Sequence, residues 1–291
     1  MTGMESVISL PLGPASPRRL LDFARPLPGT LNAHGQTEAA RWLQGVKWNP
    51  WPCTGLAAGA PHDCDTETLA AITQTCETAE TQVPFVVRDA IKMSTLEYND
   101  TEVEAMLRAR WDLMVSAAFA SELVSGAASS GKSLRSEAVG NAPADIAYGS
   151  AAVTISKAVA VLEDHLASKI VGQRGVIHLP PGLLTLAVTE CDLVLGDGGF
   201  WETPNGNYVI ADAGYNGTLG PTGQAAASAL EGWVYASGMV YVASTAPIAM
   251  GGNEDAPFLR RNEIHEWLQG YGILVFDPCP VSAVLANYTV V

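Results

Sequence analysis

Positive charge is scarce in this chain. Sixteen Lys and Arg face thirty Asp and Glu over 291 residues, a formal net charge of −14. Proteins that hold nucleic acid concentrate cations to neutralise phosphates. The chain as a whole is excluded from that class, although it could stand beside nucleic acid as an inert or repelling wall. The one locally basic region is the first fifty residues, where Arg18, Arg19, Arg25, Arg41 and Lys47 oppose Glu5, Asp22 and Glu38. Charge of either sign is low, 16% of residues against 48% hydrophobic. A sizeable core is therefore available. A monomer of this size normally covers its surface with more charge, so some apolar surface is expected to meet another subunit.

Long apolar runs are also missing. No stretch reaches the roughly 18 residues of a membrane helix, and the opening MTGMESVISLPLGP has no basic region followed by a long apolar run, so no signal peptide is expected. The cysteines, Cys53, Cys64, Cys76, Cys191 and Cys279, are odd in number and form no C-x-x-C. The first three are not at zinc-ligand spacing, and free thiols in the cytosol are the expectation. The histidines (His34, His62, His165, His178 and His265) are scattered, HEWLQ at 265–269 lacks the second His of a zincin, and G-x-S-x-G does not occur. Each His is read as structural or exposed. No catalytic, cofactor-binding or metal-binding residue is assigned, no cofactor is expected, and the chain is not expected to be an enzyme.

One nucleotide-binding signature is present. Gly126 to Ser133, GAASSGKS, fits G-x-x-x-x-G-K-[ST] letter for letter. A phosphate-cradling loop needs a buried strand before it and a helix opening at the Lys–Ser pair. Here an amphipathic helix ending near Val124 precedes it. LRSEAVGNAPADIAYG follows, with Gly140, Pro143 and no apolar face. Segment 125–149 is therefore read as a flexible solvated linker, with Lys132 a solubilising charge. GDGG at 196–199 is read as a tight turn ahead of a hairpin. Trp48 and Trp51 are read as buried against a neighbouring subunit rather than stacked on a ligand.

What the chain does contain is a distinctive order of parts. Residues 1–50 carry Pro11, Pro14, Pro17, Pro26, Pro28 and Pro50, which allow little regular structure. Yet Leu20, Leu21, Phe23, Leu27, Leu31 and Trp42 are too apolar for a disordered tail, and an arm laid on a neighbouring copy is expected; TEAARWLQG, 37–45, hints at a short helix. From Trp48 to Val87 there is no Lys or Arg, while Asp63, Asp65, Glu67, Glu77 and Glu80 are present. VPFVVRDAIKMSTLEY, 83–98, reads as a strand. Together these make a hairpin-like excursion that would be marginal alone.

Asn99 and Thr101, each with a Glu three residues on, are candidate caps. Val103, Met106, Leu107, Trp111, Met114, Val115, Ala118 and Phe119 follow helical spacing, which predicts a helix over about 101–124. Ser150 is the expected cap of a second helix, about 151–169, with Ile155, Val159, Leu162 and Leu166 on its buried face. GVIHL, 175–179, reads as a short buried strand, and Pro181 as the opening of a short helix. Asn205–Gly206 before NYVIA signals a hairpin. A glycine-rich loop, GYNGTLGPTG, 214–223, precedes one strand-like stretch, GWVYASGMVYVAS, 232–244. RRNEIHEWLQ leads to two short apolar strands in GILVFDPCPVSAVLANYTVV, broken by Pro278 and Pro280. No internal repeat is visible.

This layout resembles, over nearly the whole chain, the major capsid proteins of tailed bacteriophages with the Hong Kong 97-type fold. The block NGNYVIADAGYNGTLGPTG followed by EGWVYASGMVYVAS resembles one carried by capsid proteins of phages that infect actinobacteria. GVIHLPPGLLTLAV resembles a strand–helix pair shared with encapsulin nanocompartments, which have the same fold. The resemblance implies an α+β fold with an N-terminal arm at 1–49, an extended loop at 50–95, a peripheral domain with spine helix at 96–145, an axial domain at 146–254 and a return to the peripheral domain at 255–291. It implies a homo-oligomer of pentamers and hexamers, an icosahedral head that encloses double-stranded DNA without sequence-specific binding and without a membrane, assembled in the host bacterial cytoplasm. Loop 214–223 is expected near the symmetry axis, where glycines let crowded backbones pass. Portal and decoration proteins are candidate partners. Because the arm begins almost at once, scaffolding is expected from a separate protein or not at all. Some relatives join a loop Lys covalently to a neighbour; residues 48–87 hold no Lys and only Lys47 and Lys92 flank them, so no crosslink is expected. An encapsulin-like shell, a P-loop NTPase and an adhesin or tail component are the alternatives.

Overall fold

The computed structural model describes residues 19–27, 46–48, 80–94, 99–129, 131–170, 172–196, 198–251 and 263–289. His34, His62, Trp51, Cys53, Cys64, Cys76 and the expected helix at 37–45 lie outside them.

The chain enters as a single helical turn, α1 (Leu20–Phe23), followed by a two-residue strand, β1 (Arg25–Pro26). Strands β2 (Val46–Trp48) and β3 (Glu80–Gln82) then pair antiparallel, Lys47 opposite Thr81. They are the two ends of the acidic excursion. Strand β4 (Phe85–Ser94) alternates as its sequence requires, with Phe85, Val87 and Asp89 buried and Val86, Arg88 and Ala90 exposed.

Asn99 opens α2 (Asp100–Ser125) with a reciprocal cap. Its side chain accepts from the Glu102 N–H, and the Glu102 carboxylate accepts from the Asn99 N–H, each at 3.0 Å. Gly126, at φ 59, ends the helix in the left-handed conformation that favours glycine. The 101–124 expectation holds within a residue at each end. Val103, Leu107, Trp111 and Phe119 face the core.

The segment expected to be a solvated linker is instead packed. It contains a short helix, α3 (Leu134–Glu137), capped by Ser133, and Leu134 and Ala138 are fully buried. Helix α4 (Ile155–Lys169) takes Thr154 rather than Ser150 as its cap, and its predicted face, Ile155, Val159, Leu162 and Leu166, is buried. Strand β5 (Val176–Leu179) and helix α5 (Pro181–Glu190), with Pro181 in its first turn, follow as expected. Next come β6 (Val194–Leu195), β7 (Trp201–Glu202), β8 (Tyr208–Ala211), β9 (Glu231–Ser237), β10 (Val240–Ser244), β11 (Ile248–Gly251), β12 (Glu263–Phe276) and β13 (Ser282–Asn287). Gly196, which follows β6, donates its N–H to Phe200 O, just before β7, at 2.9 Å. Gly206, at φ 84, turns β7 into β8.

Two sheets result. In one, β12 is the centre, paired antiparallel to β4 along one side and to β10 and β11 along the other, with β1 parallel to β10. Helix α2 lies on it, close enough that a Cβ on Gly270 would meet the Trp111 ring at 3.0 Å. The other sheet has the order β13-β9-β5-β8-β7-β6. One face, Ile177, Val209, Val234 and Val284, packs in one core with α4 and α5. The opposite face, Val176, Ile210, Trp233 and Tyr235, belongs to the core that holds α2. Burial on both faces explains why VIHL reads as an unbroken run.

The stretch 232–244 is not one strand but two, β9 in the six-stranded sheet and β10 in the five-stranded one. The chain end does the same in reverse. β12 is longer than expected and takes in IHEWLQ, and β13 leaves to pair with β9, so GILVFDPCPVSAVLANY does not stay in one sheet. The two crossings touch: a Cβ on Gly238 would lie 2.7 Å from the Asp277 Cβ.

Candidate functional site

Residues 19–27 meet the rest of the chain at a buried carboxylate. Asp212, just past β8, accepts from the Leu20 N–H at 2.9 Å and from the Ser116 hydroxyl at 2.7 Å through one oxygen, and from the Gly214 N–H at 3.1 Å through the other. Leu20 is fully buried, and Phe23 sets its ring edge-on against Phe200 and Tyr208 at 5.3 and 5.0 Å. Leu27 packs on Ile273 and Val275. The expectation that these arm side chains shelter on a neighbour is corrected here: in this stretch they pack on their own subunit. The sequence held no signal for it, because the partner carboxylate is 192 residues away.

The P-loop look-alike has a different use. Its amides wrap a carboxylate supplied by the preceding helix: Glu122 accepts from Ala128 N–H at 3.0 Å, Ser129 N–H at 2.8 Å and the Ser129 hydroxyl at 2.5 Å. The position a phosphate would need is filled by the chain itself. Lys132 pairs with Glu137 at 3.3 Å rather than standing as a bare solubilising charge.

His178 lies inside the molecule on β5. Its Nδ1 is 3.0 Å from the Tyr215 hydroxyl and its Nε2 is 2.8 Å from Ser237 Oγ, which itself donates to Gly238 O. One proton order satisfies all three groups: Tyr215 donates to Nδ1, and Nε2–H donates to Ser237. Burial pushes the imidazole down to about 3 and the Tyr215 phenol well up, so both stay neutral. This chain ties β5, β9 and the glycine-rich loop together. Of the other described histidines, His165 is half-buried on α4 and His265 half-buried on β12. Cys191 is a half-buried free thiol pushed up to about 11 by burial and the nearby Glu190, Glu163 and Asp192, the opposite of an activated nucleophile.

The glycine-rich loop is crowded within its own subunit. A Cβ on Gly214 would overlap the Ala117 carbonyl and sit 2.6 Å from Ser121 N, and one on Gly220 would sit 2.5 Å from the Trp233 ring. A cleft of about 710 Å³ lies between α4 and the β7–β8 turn. Of the two carboxylates that line it, Glu163 is engaged by Thr203 and, at 2.9 Å, by Asn205. Among the described residues no cluster of His, Cys, Asp and Glu is placed to hold a metal ion, and no helix is long and apolar enough to cross a membrane.

What remains open is surface. Leu230 is 72% exposed, Ile248 59%, and Val194 and Leu195, on the edge strand β6, 56% and 54%. An uncovered apolar edge is a place where chains join.

No protein-family profile and no curated protein matches this chain. Solved structures do. The capsid of an empty GTA particle matches with a TM-score of 0.56 and 13% identity, covering 99% of this chain and 96% of that one. The capsid of the native GTA particle matches with 0.55 and 10% over the same shares, 99% and 96%. A structure of Gordonia phage Cozz matches with 0.53 and 11%, covering 98% of this chain and 91% of that one. The chain has the phage capsid fold. The Hong Kong 97-type α+β architecture expected from the sequence is thus the one observed, carried by backbone arrangement where little sequence is shared. Within this fold the long helix α2 is the part that the apolar spacing from Val103 to Phe119 anticipated.

Proposed function

We propose that this chain is the shell subunit of a phage head. The observation that carries the reading is the match to GTA capsids from end to end, 99% of this chain against 96% of that one. Supporting it are the exposed apolar residues Leu230, Ile248, Val194 and Leu195 and the paired strands at the two ends of the acidic excursion. The parts are residues 1–49 as arm, 50–95 as extended loop, 96–145 as peripheral domain, 146–254 as axial domain and 255–291 as the return. The mechanism is association, not catalysis. Copies join through surfaces that bury apolar area, and head-to-tail contacts close into pentamers and hexamers. The charge of −14 suits a wall around double-stranded DNA, which the shell encloses without gripping phosphates.

Expression of the chain followed by negative-stain microscopy tests this. Closed icosahedral particles are expected. DNA in particles from infected cells supports the phage head, and a protein cargo supports an encapsulin-like compartment instead. A chain that sediments as a 30.5 kDa monomer at high concentration overturns the shell reading.

A further inference from the structure

Helix α1 has four residues, too few to be stable alone. Its N-cap residue is Arg19, whose guanidinium has no acceptor to offer a free amide. The first two amides of the helix are nevertheless satisfied. Leu20 N–H donates to Asp212 at 2.9 Å and Leu21 N–H to Ser116 Oγ at 3.1 Å, while the Ser116 hydroxyl donates to the same Asp212 oxygen at 2.7 Å. The Arg19 guanidinium donates to the Asp112 carbonyl on α2. Leu20 and Ser116 are fully buried and Asp212 is 4% exposed. The cap of α1 is thus built by side chains from α2 and from the end of β8. Beyond it, among the described residues, this stretch is joined to the five-stranded sheet by β1 and by the Leu27 N–H, which donates to Val242 O at 2.9 Å.

We propose that Asp212 and Ser116 form a latch that docks the arm on its own subunit and fixes the point from which residues 1–18 set out toward a second copy of this chain. The second half rests on the shell-subunit reading. Eighteen extended residues reach up to about 60 Å, so the direction in which they start matters. An arm with a fixed origin gives up less freedom on reaching its neighbour than one held only from Val46, nineteen residues beyond Leu27.

Hydrogen exchange on the unassembled full chain tests the latch. In the wild type, the Leu20 and Leu21 amides are expected to exchange at least about 100-fold more slowly than those of the exposed Ala225 and Ala226. Ser116→Ala removes the bridging hydroxyl at a helix position where Ala is otherwise welcome. It is expected to speed exchange across residues 20–24 by about tenfold or more while β5 stays unchanged. Asp212→Asn, which leaves one acceptor in place of two, is expected to do the same. The latch is overturned by unprotected Leu20 and Leu21 amides in the wild type, by no change in Ser116→Ala, or by equal acceleration in β5. Microscopy of the assembled chains then tests the launch point. Regular particles from the wild type and irregular ones from Ser116→Ala support it. Indistinguishable particles overturn it. No particles from the wild type overturn the shell reading and the launch point together, while the exchange result still decides the latch.

Discussion

His178 and Tyr215 share a buried hydrogen bond of 3.0 Å that fastens strand β5 to the glycine-rich loop. Its imidazole is held neutral, with the affinity for a proton lowered from the ordinary 6.5 to about 3 by burial. The unfolded chain takes up a proton below pH 6.5 and the folded chain does not. The stabilisation is therefore complete above pH 6.5 and is lost as the pH falls toward 3, at about 1.4 kcal/mol per pH unit. Urea unfolding of the unassembled subunit between pH 7 and pH 4 should show that slope. In His178→Phe it should flatten, leaving the smaller contribution of His165, whose affinity burial also lowers. Parallel slopes in the two proteins would sink this account of His178.

Glu122 is expected to be a stability residue. Glu122→Ala leaves the Ala128 and Ser129 amides and the Ser129 hydroxyl without their acceptor, at a cost of about 2–4 kcal/mol by denaturant unfolding. Lys132→Ala should cost under about 1 kcal/mol, as for other part-exposed ion pairs. Calorimetric titration with ATP should give no heat of binding for either the wild type or Lys132→Ala, and saturable binding abolished by Lys132→Ala would restore the nucleotide-binding reading.

Two glycines should lose stability to alanine by different amounts. Gly214→Ala drives a Cβ into the backbone of α2, which cannot yield as a side chain can, and should cost about 3 kcal/mol or more. Gly140 sits at φ 80 with nothing within 4 Å of its would-be Cβ. Gly140→Ala should cost only the left-handed backbone penalty, about 1–2 kcal/mol. Thermal unfolding of both variants side by side checks the difference.

Particles boiled in detergent should run as a single band at 30.5 kDa. Lys47 and Lys92 are the only lysines that flank the acidic excursion, which holds none. A ladder of covalent multimers would show that a lysine elsewhere reaches a neighbour.

The helices were legible because their signals are local. Asn99 with Glu102, the apolar spacing from Val103 to Phe119, Pro181 ahead of an apolar run, and Asn205–Gly206 before a strand each act within a few residues. Where the reading failed, the competing partner was remote. Segment 125–149 read as a linker because the cavity that Leu134 fills is formed by other elements. The 232–244 stretch read as one strand because nothing local marks Ser237–Gly238 as the passage between two sheets; that follows from Asp277 passing alongside. The sequence leaves His178 either structural or exposed; what holds it inside, Tyr215 and Ser237, lies 37 and 59 residues away.

The sequence alone determined the long helices and the shortage of positive charge, since periodicity, caps and composition are properties of neighbouring residues; the fold class came from the resemblance of the whole layout to a known family. Only the tertiary structure decided where residues 19–27 lie, what the Ala128 and Ser129 amides bind and which groups stay neutral inside. Those outcomes depend on donors and acceptors brought together from positions up to 192 residues apart, and a buried polar group must find such a partner whatever the distance along the chain.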